Sequence, residues 1–334
     1  MSGSRKEVLA RSLGPLGGYR ASKFLTRNNP RILMYHRFCE QVTPDRTSKD
    51  VFYKQMSMLK NNFNVISMSS LYDEKNASTN LGRNIIAITV DDGFRDFYET
   101  AYPILADLGL PATIYITTNF VDGKIWLWPD IVEYIIHSST KNKLSLEFES
   151  CPLSLKLSSS DDKSKSWTEL INLCLSLSHK GRGEFIEYLG DMADVSIPTL
   201  PPDDYKALDW TEVREMSNNG ITIGSHTCNH PILSKLTGKE LEEEIYLSRV
   251  KIEKEIDKPV DCFCYPNGQS SDYNDEVIGL VKKHGYTNAV TAFYDKFDIE
   301  KRFEIRRHTI SDNMYQYRKA IFGVKYLSTQ FANS

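Results

Sequence analysis

The sequence predicts an α/β fold, a (β/α) barrel of about seven strands carrying a mainly helical insertion. Three observations predict it: short apolar runs recur along the chain, amphipathic helical stretches separate them, and one polar, Ser-rich region interrupts the rhythm. A run such as "IIAITV" is apolar on both faces, the pattern of a strand covered by helices on each side. Strands that alternate with helices imply parallel pairing through crossovers, and this many units favour closure into a barrel. In that architecture functional residues gather at the C-terminal ends of the strands.

The strands are read at "RILMYH" (31–36), "IIAITV" (85–90), "ATIYIT" (112–117), "ITIGSH" (221–226), "VDCFCYP" (260–266), "NAVTAF" (288–293) and "FEIRRHTI" (303–310). Residues 1–30 form an N-terminal segment expected to be helical. The barrel is expected over 31–320 and a C-terminal tail over 321–334. Between the strands, "VFYKQMSMLKN" sets Phe52, Met56 and Leu59 on one stripe, and "TGKELEEEIYLSRVKIEKEID" does so with Leu241, Ile245, Ile252 and Ile256. Thr237 with Glu240, and Asp209 with Glu212, have capping-box spacing. "DEVIGLVKKHGY" ends at Gly285, a C-cap residue. From about 141 to 202 the chain turns polar, with "KLSSSDDKSKS" reading as a near-linker. "WTELINLCLSLS" and "GEFIEYLGDMADV" read as helices of an insertion that covers part of one rim.

Bulk composition narrows the function. A net charge of -3 over 334 residues offers no basic footprint for nucleic acid. No stretch reaches the roughly 18–20 apolar residues that cross a bilayer. The first residues lack the continuous apolar core of a secretory signal. Six cysteines without framework spacing read as reduced thiols, so a cytoplasmic location is expected. "SRKEVLARSLGPLGGYRASKFL" has a weak basic amphipathic character that allows weak membrane-surface contact through the N-terminus.

Two motifs carry chemistry. "AITVDDGFRD" sets Asp91 and Asp92 side by side where a strand stops, and "GITIGSHTCNHPIL" sets His226 and His230 four residues apart where another stops. Adjacent carboxylates repel unless a positive group lies between them. Two imidazoles and one aspartate make a ligand set for a divalent cation with positions left open for water and substrate. A cation would therefore answer why the carboxylates are paired.

With these motifs in place, the chain resembles the polysaccharide deacetylase (NodB-homology, carbohydrate esterase) family, from about Arg31 to Ser311. "TVDDG" (89–93) matches the family's T-F-D-D-G motif with Val90 for Phe, and "SHTCNH" (225–230) matches its histidine-pair motif. "YHRF" (35–38), "LDWTEVREMSNNGITIGSHT" (208–227) and "CYPNG" (264–268) resemble a subgroup linked to exopolysaccharide and lipopolysaccharide functions. The resemblance implies a distorted, TIM-like barrel and a metal-dependent removal of acetyl groups from an N-acetylated carbohydrate. It implies Asp91 as general base, Asp92, His226 and His230 as ligands of a divalent metal, and Asn267 as the source of an oxyanion-binding N–H. The metal expected is Zn2+, with Co2+, Mn2+ or Ni2+ as alternatives.

The pattern departs from the family in two places. Where the third motif carries an arginine that pairs with the base, this chain has Cys264, and Arg307 is the substitute that the subgroup implies. The final motif's histidine, the general acid, corresponds to His308 with an offset, because Arg306 occupies the usual leucine position. His36, at the end of the first strand, is a rival for that part. Trp128 and Trp210 are candidate stacking surfaces for sugar. Two other readings use the same residues: an O-acetyl esterase or non-sugar amidohydrolase, and a sugar-binding relative without catalysis.

Overall fold

The computed structural model describes residues 17–41, 46–72, 82–149, 151–294, 298 and 300–332. Residues 1–16, which hold most of the amphipathic N-terminal stretch, lie outside that set. In chain order the strands are β1 (Arg31–Tyr35), β2 (Phe38–Cys39), β3 (Thr47–Ser48), β4 (Asn64–Ile66), β5 (Ile85–Val90), β6 (Ala112–Ile116), β7 (Lys143–Phe148), β8 (Cys151–Lys156), β9 (Ile221–Ser225), β10 (Cys262–Cys264), β11 (Asn288–Val290) and β12 (His308–Thr309). The main sheet runs β11-β10-β9-β6-β5-β1-β12, parallel throughout, and β4 pairs with the first half of β5. A parallel bridge from Val290 to Ile305 ties the segment before β12 back to β11, so the sheet curls into the distorted barrel expected.

Side-chain alternation along these strands sorts residues into two layers. Ile32, Ile85, Ala87, Tyr115, Cys262, Cys264, Val290 and Ile305 form an inner cluster. Leu33, Ile86, Ile88, Ile114, Ile221, Ile223 and Phe263 face outward, packed with Leu241, Ile245 and Ile252 of the helix Gly238–Ile256 and Phe52, Met56 and Leu59 of the helix Lys49–Asn62. Every residue of β5 is buried, as a strand covered on both faces must be. Where the inner layer is tightest a glycine stands: a Cβ on Gly224 would lie 2.5 Å from the Tyr115 ring and 3.0 Å from the Cys262 carbonyl.

The stretch 141–202, read as an insertion, packs with the helix that precedes it into a cluster apart from the barrel core. Val132, Ile135, Leu144, Leu155, Leu170 and Phe185 pack together from the helices Trp128–Ser138, Ser160–Ser176 and His179–Ala193 and from the antiparallel hairpin β7–β8. That hairpin adds a β element to a region read as helical. "KLSLEF" alternates exposed and buried residues, a short strand signal that the Ser-rich composition obscured.

Two local expectations fare differently. Asp209 and Glu212 form a complete capping box at the helix Trp210–Asn218. Thr237 precedes the helix Gly238–Ile256 but makes no side-chain cap bond, so spacing alone did not produce the second box. Gly285 follows the helix Asp275–Lys283 with φ of 79°, the left-handed turn expected there. The C-terminal tail carries a helix, Val324–Ala332. No helix among the described residues is long and apolar enough to cross a membrane.

Because the Gly224 site has no room, Gly224→Ala is expected to destabilise the fold by about 1–3 kcal/mol. A urea midpoint equal to wild type would refute that packing.

Candidate active site

Strand alternation delivers four functional side chains to the barrel interior. Ile85, Ala87, Thr89 and Asp91 share one face of the β5 path, Gly224 and His226 share one of β9, and Cys264 and Arg307 do so for β10 and the last segment. Asp91 and Arg307 meet there. Arg307 Nη1 donates to Asp91 Oδ1 at 2.7 Å and Nη2 donates to Oδ2 at 2.6 Å, a bidentate pair with both residues buried. Arg307 is further held by the Thr89 hydroxyl at 3.0 Å and the Thr291 carbonyl at 2.6 Å. Burial favours the neutral form of Asp91, but the Arg307 charge and hydrogen bonds outweigh it and hold the carboxyl below its ordinary range. Cys264, at the position where the third motif carries arginine, leaves its thiol 3.3 Å from Arg307 Nη2. A small side chain there leaves room for the guanidinium that arrives from the other strand.

Asp92 turns the other way. Its φ of 77° is left-handed, and Gly93 follows at 96°, so the chain curls instead of continuing the strand. The Thr117 N–H donates to the Asp92 carbonyl at 3.1 Å and fixes that curl. Its Oδ1 lies 3.3 Å from His226 Nε2 and 3.5 Å from His230 Nε2. Burial opposes its charge, yet the two imidazoles hold the carboxyl well below the usual range.

The imidazoles are oriented from behind. His226 Nδ1 donates to the Cys264 carbonyl at 2.8 Å, which turns Nε2 toward Asp92. His230 Nδ1 is buried without a hydrogen-bond partner. The loop between them is held by Glu244 of the helix Gly238–Ile256. Its Oε2 accepts the N–H groups of Cys228 and Asn229, each at 2.9 Å, and Oε1 accepts Asn229 Nδ2 at 2.5 Å. Thr227 and His230 both have positive φ, at 71° and 54°, and the Thr227 hydroxyl accepts the His230 N–H at 3.0 Å.

Two triads here have metal-ligand spacing: Asp92, His226 and His230, and Asp91, His226 and Cys264. The first fits a cation better. Both imidazoles present Nε2 to one carboxylate oxygen, whereas each Asp91 oxygen already accepts from Arg307 and burial keeps the Cys264 thiol protonated.

The remaining candidates divide. His36 stands beside the pair, with Nε2 3.7 Å from Asp91 Oδ2 and its side chain 43% exposed. Asn267 is left-handed at φ 58°, in the Pro266–Gly268 turn, with Nδ2 buried and unpartnered. His308 stands apart. It follows Arg307 on the strand and so faces the opposite side, stacked on Tyr294 at 3.9 Å. Trp128 packs in that same cluster beneath Arg182, and Trp210 donates to Asp122 at 2.7 Å with Lys251 over its ring, so packing accounts for the first and a hydrogen bond for the second.

Sequence reading missed three participants. Arg37, next to His36, donates to Asp96 at 2.7 Å and reaches Asp130 at 3.8 Å while lying over the Phe94 ring. Burial pushes the Asp130 carboxyl well up, with Arg37 offsetting in part and Asp92 and Glu133 adding to the rise. Glu244 is the third. A charged residue on a helix face gave no signal beyond solvation, while "YHRF" did flag Arg37's position.

Residues 78–149 and 183–289 match the polysaccharide deacetylase family, and the gap between them falls in the insertion. YxkH of Bacillus subtilis (strain 168), whose curated name places it in the same family, is 22% identical over 261 residues, 78% of this chain. The chain spans 63% of that relative's length. Among solved structures, the deacetylase PplD from Streptococcus pyogenes in complex with acetate aligns over 86% of this chain and 95% of its own, with a TM-score of 0.57 and 19% identity. A de-N-acetylase from Aggregatibacter actinomycetemcomitans aligns over 85% and 96%, at 0.54 and 18%. At such identities the structures speak to fold alone. With more than half its length matched, the chain belongs to the polysaccharide deacetylase family.

Proposed function

We propose that the protein is a metal-dependent hydrolase that removes the acetyl group from an N-acetylated sugar of a poly- or oligosaccharide or glycan precursor. The observation that carries this is a buried carboxylate locked by an arginine directly beside a second carboxylate that faces two imidazoles. Asp92, His226 and His230 would hold the cation. When bound, a divalent cation supplies Lewis acidity, making a water more acidic and polarising a carbonyl.

The chain's own residues have distinct parts. Asp91 accepts the proton of the attacking water, and Arg307 keeps it ionised and fixes its plane. The turn at Asn267 offers a backbone N–H toward the charge that develops on the acetyl oxygen. His36 donates a proton to the nitrogen as the carbon–nitrogen bond breaks, so that acetate and a free amine leave. It takes the acid's part because it lies at the Asp91 carboxylate and reaches solvent, while His308 faces the other side of the strand. Arg37, Asp96 and Asp130 border this position and would contact the sugar.

Purified protein supplied with Zn2+ is expected to release free amine from N-acetylated oligosaccharides. Asp91→Asn should retain wild-type metal content and lose about 10²–10⁴-fold in turnover; undiminished amine release would remove Asp91 as the base. Turnover of O-acetyl esters but not amides would instead favour the esterase reading. Arg307→Met leaves Asp91 buried beside no cation and is expected to cost about 3–5 kcal/mol in chemical denaturation. Glu244→Ala should weaken metal retention against a chelator about 10–100-fold, with Glu244→Gln recovering part of it. Equal retention in the alanine variant would show that the loop holds its shape unaided.

A further inference from the structure

Four segments meet at the end of the barrel where β1, β4 and β5 begin, opposite the rim that carries Asp91 and Asp92. The helix Gly18–Leu25 packs against the helix Val324–Ala332, and Tyr19 meets Phe322 with ring centres 5.1 Å apart. Phe322 also meets Phe63 at 5.3 Å, and the Lys23 ammonium lies 4.7 Å from the centre of the Phe63 ring. The Asn84 N–H donates to the Arg27 carbonyl at 2.6 Å and joins the start of β5 to the same end.

Charge is segregated there. Residues 17–31, 60–66, 82–90 and 313–332 hold nine lysines and arginines and no aspartate or glutamate, in a chain whose net charge is -3. Arg31 is buried; Arg20, Lys60, Arg83 and Arg318 are exposed, and the other four are half-buried. Like charges crowd one another: burial and then Arg31 lower Lys23, and burial and then Lys319 lower Lys325. Beside these cations two large apolar side chains stand in water. Phe24 is 62% and Leu25 66% exposed, in the last turn of the helix Gly18–Leu25, with the Arg27 guanidinium 4.2 Å from the Phe24 ring centre.

The combination selects among partners. A second copy of the chain would set like charge against like. Nucleic acid would use the cations but have no place for Leu25. A bilayer with anionic headgroups uses both, since apolar side chains enter the headgroup boundary while basic ones meet the phosphates. The residues ahead of Gly17 add three basic residues against one acid, in the same sense.

We propose that this end of the molecule docks on a bilayer surface containing anionic phospholipid, with Phe24 and Leu25 inserted and the surrounding lysines and arginines on the headgroups. The proposal is independent of the deacetylase reading. The rim that holds Asp91 then faces away from the lipid.

The full chain is expected to co-sediment with vesicles of phosphatidylcholine mixed with phosphatidylglycerol, to stay in solution with phosphatidylcholine alone, and to be released by salt. Arg20→Glu combined with Arg318→Glu should weaken retention at least about tenfold, because each basic residue at such a surface contributes about fivefold. Phe24→Ser combined with Leu25→Ser should also weaken it about tenfold. Lys180→Glu, exposed on a helix of the insertion, should leave it unchanged. All five positions are exposed, so the variants are expected to fold. No retention on the mixed vesicles, equal retention on phosphatidylcholine alone, or an equal loss with Lys180→Glu overturns the proposal. Loss in the charge variant but not in the Phe24–Leu25 variant also overturns it, and assigns the patch to a soluble polyanion such as nucleic acid.

Discussion

The bidentate pair between Asp91 and Arg307 is the contact on which the rest of the site depends. Two adjacent carboxylates at a strand end would raise each other's pKa and one would go neutral. Here each has its own counter-charge in a different direction: Asp91 looks inward to a guanidinium, and Asp92 curls outward to two imidazoles. The separation is made by backbone geometry, since Asp91 keeps the β5 register and Asp92 leaves it through a left-handed φ. A buried ion pair of this kind contributes little net stability compared with an apolar replacement of similar volume. Its retention is better understood as positioning a carboxylate than as holding the barrel closed.

The rim stores conformational cost. Asp92, Thr227, His230 and Asn267 all adopt positive φ without being glycine, a conformation most residues avoid. Each lies in a loop that follows a strand of the sheet, and all are candidate site residues or direct neighbours of one. The surroundings over-determine these turns: the Thr117 N–H on the Asp92 carbonyl, the Thr227 hydroxyl on His230, and the Glu244 carboxylate on the loop between the histidines. Rigidity in the shell behind the ligands places the imidazoles before any ion arrives.

Much of the fold was legible because parallel strands buried on both faces leave continuous apolar runs, and all seven runs entered the sheet. What escaped was weaker. β4 has only three residues, and the β7–β8 hairpin hides in a Ser-rich stretch. Of the site, Asp91, Asp92, His226 and His230 could be read because each pair sits just past the end of a strand. His308 and Arg307 show what a motif lacks. Alternation from Ile305 puts Arg307 inward and His308 outward, a conclusion available from the period alone, but the offset motif pointed to the histidine. Glu244 lay beyond sequence reading altogether, since nothing local distinguishes it from the other acids of its helix.

Arg307 reaches Asp91 across a sequence separation of 216 residues. During synthesis the two partners are far apart in time as well, for the guanidinium emerges only after nearly the whole barrel has been made. Until the final strand docks between its neighbours, the carboxylate has no cation to steady it. Chemical competence thus comes last in assembly, and a chain shortened at its end would carry a near-complete barrel with an idle acid.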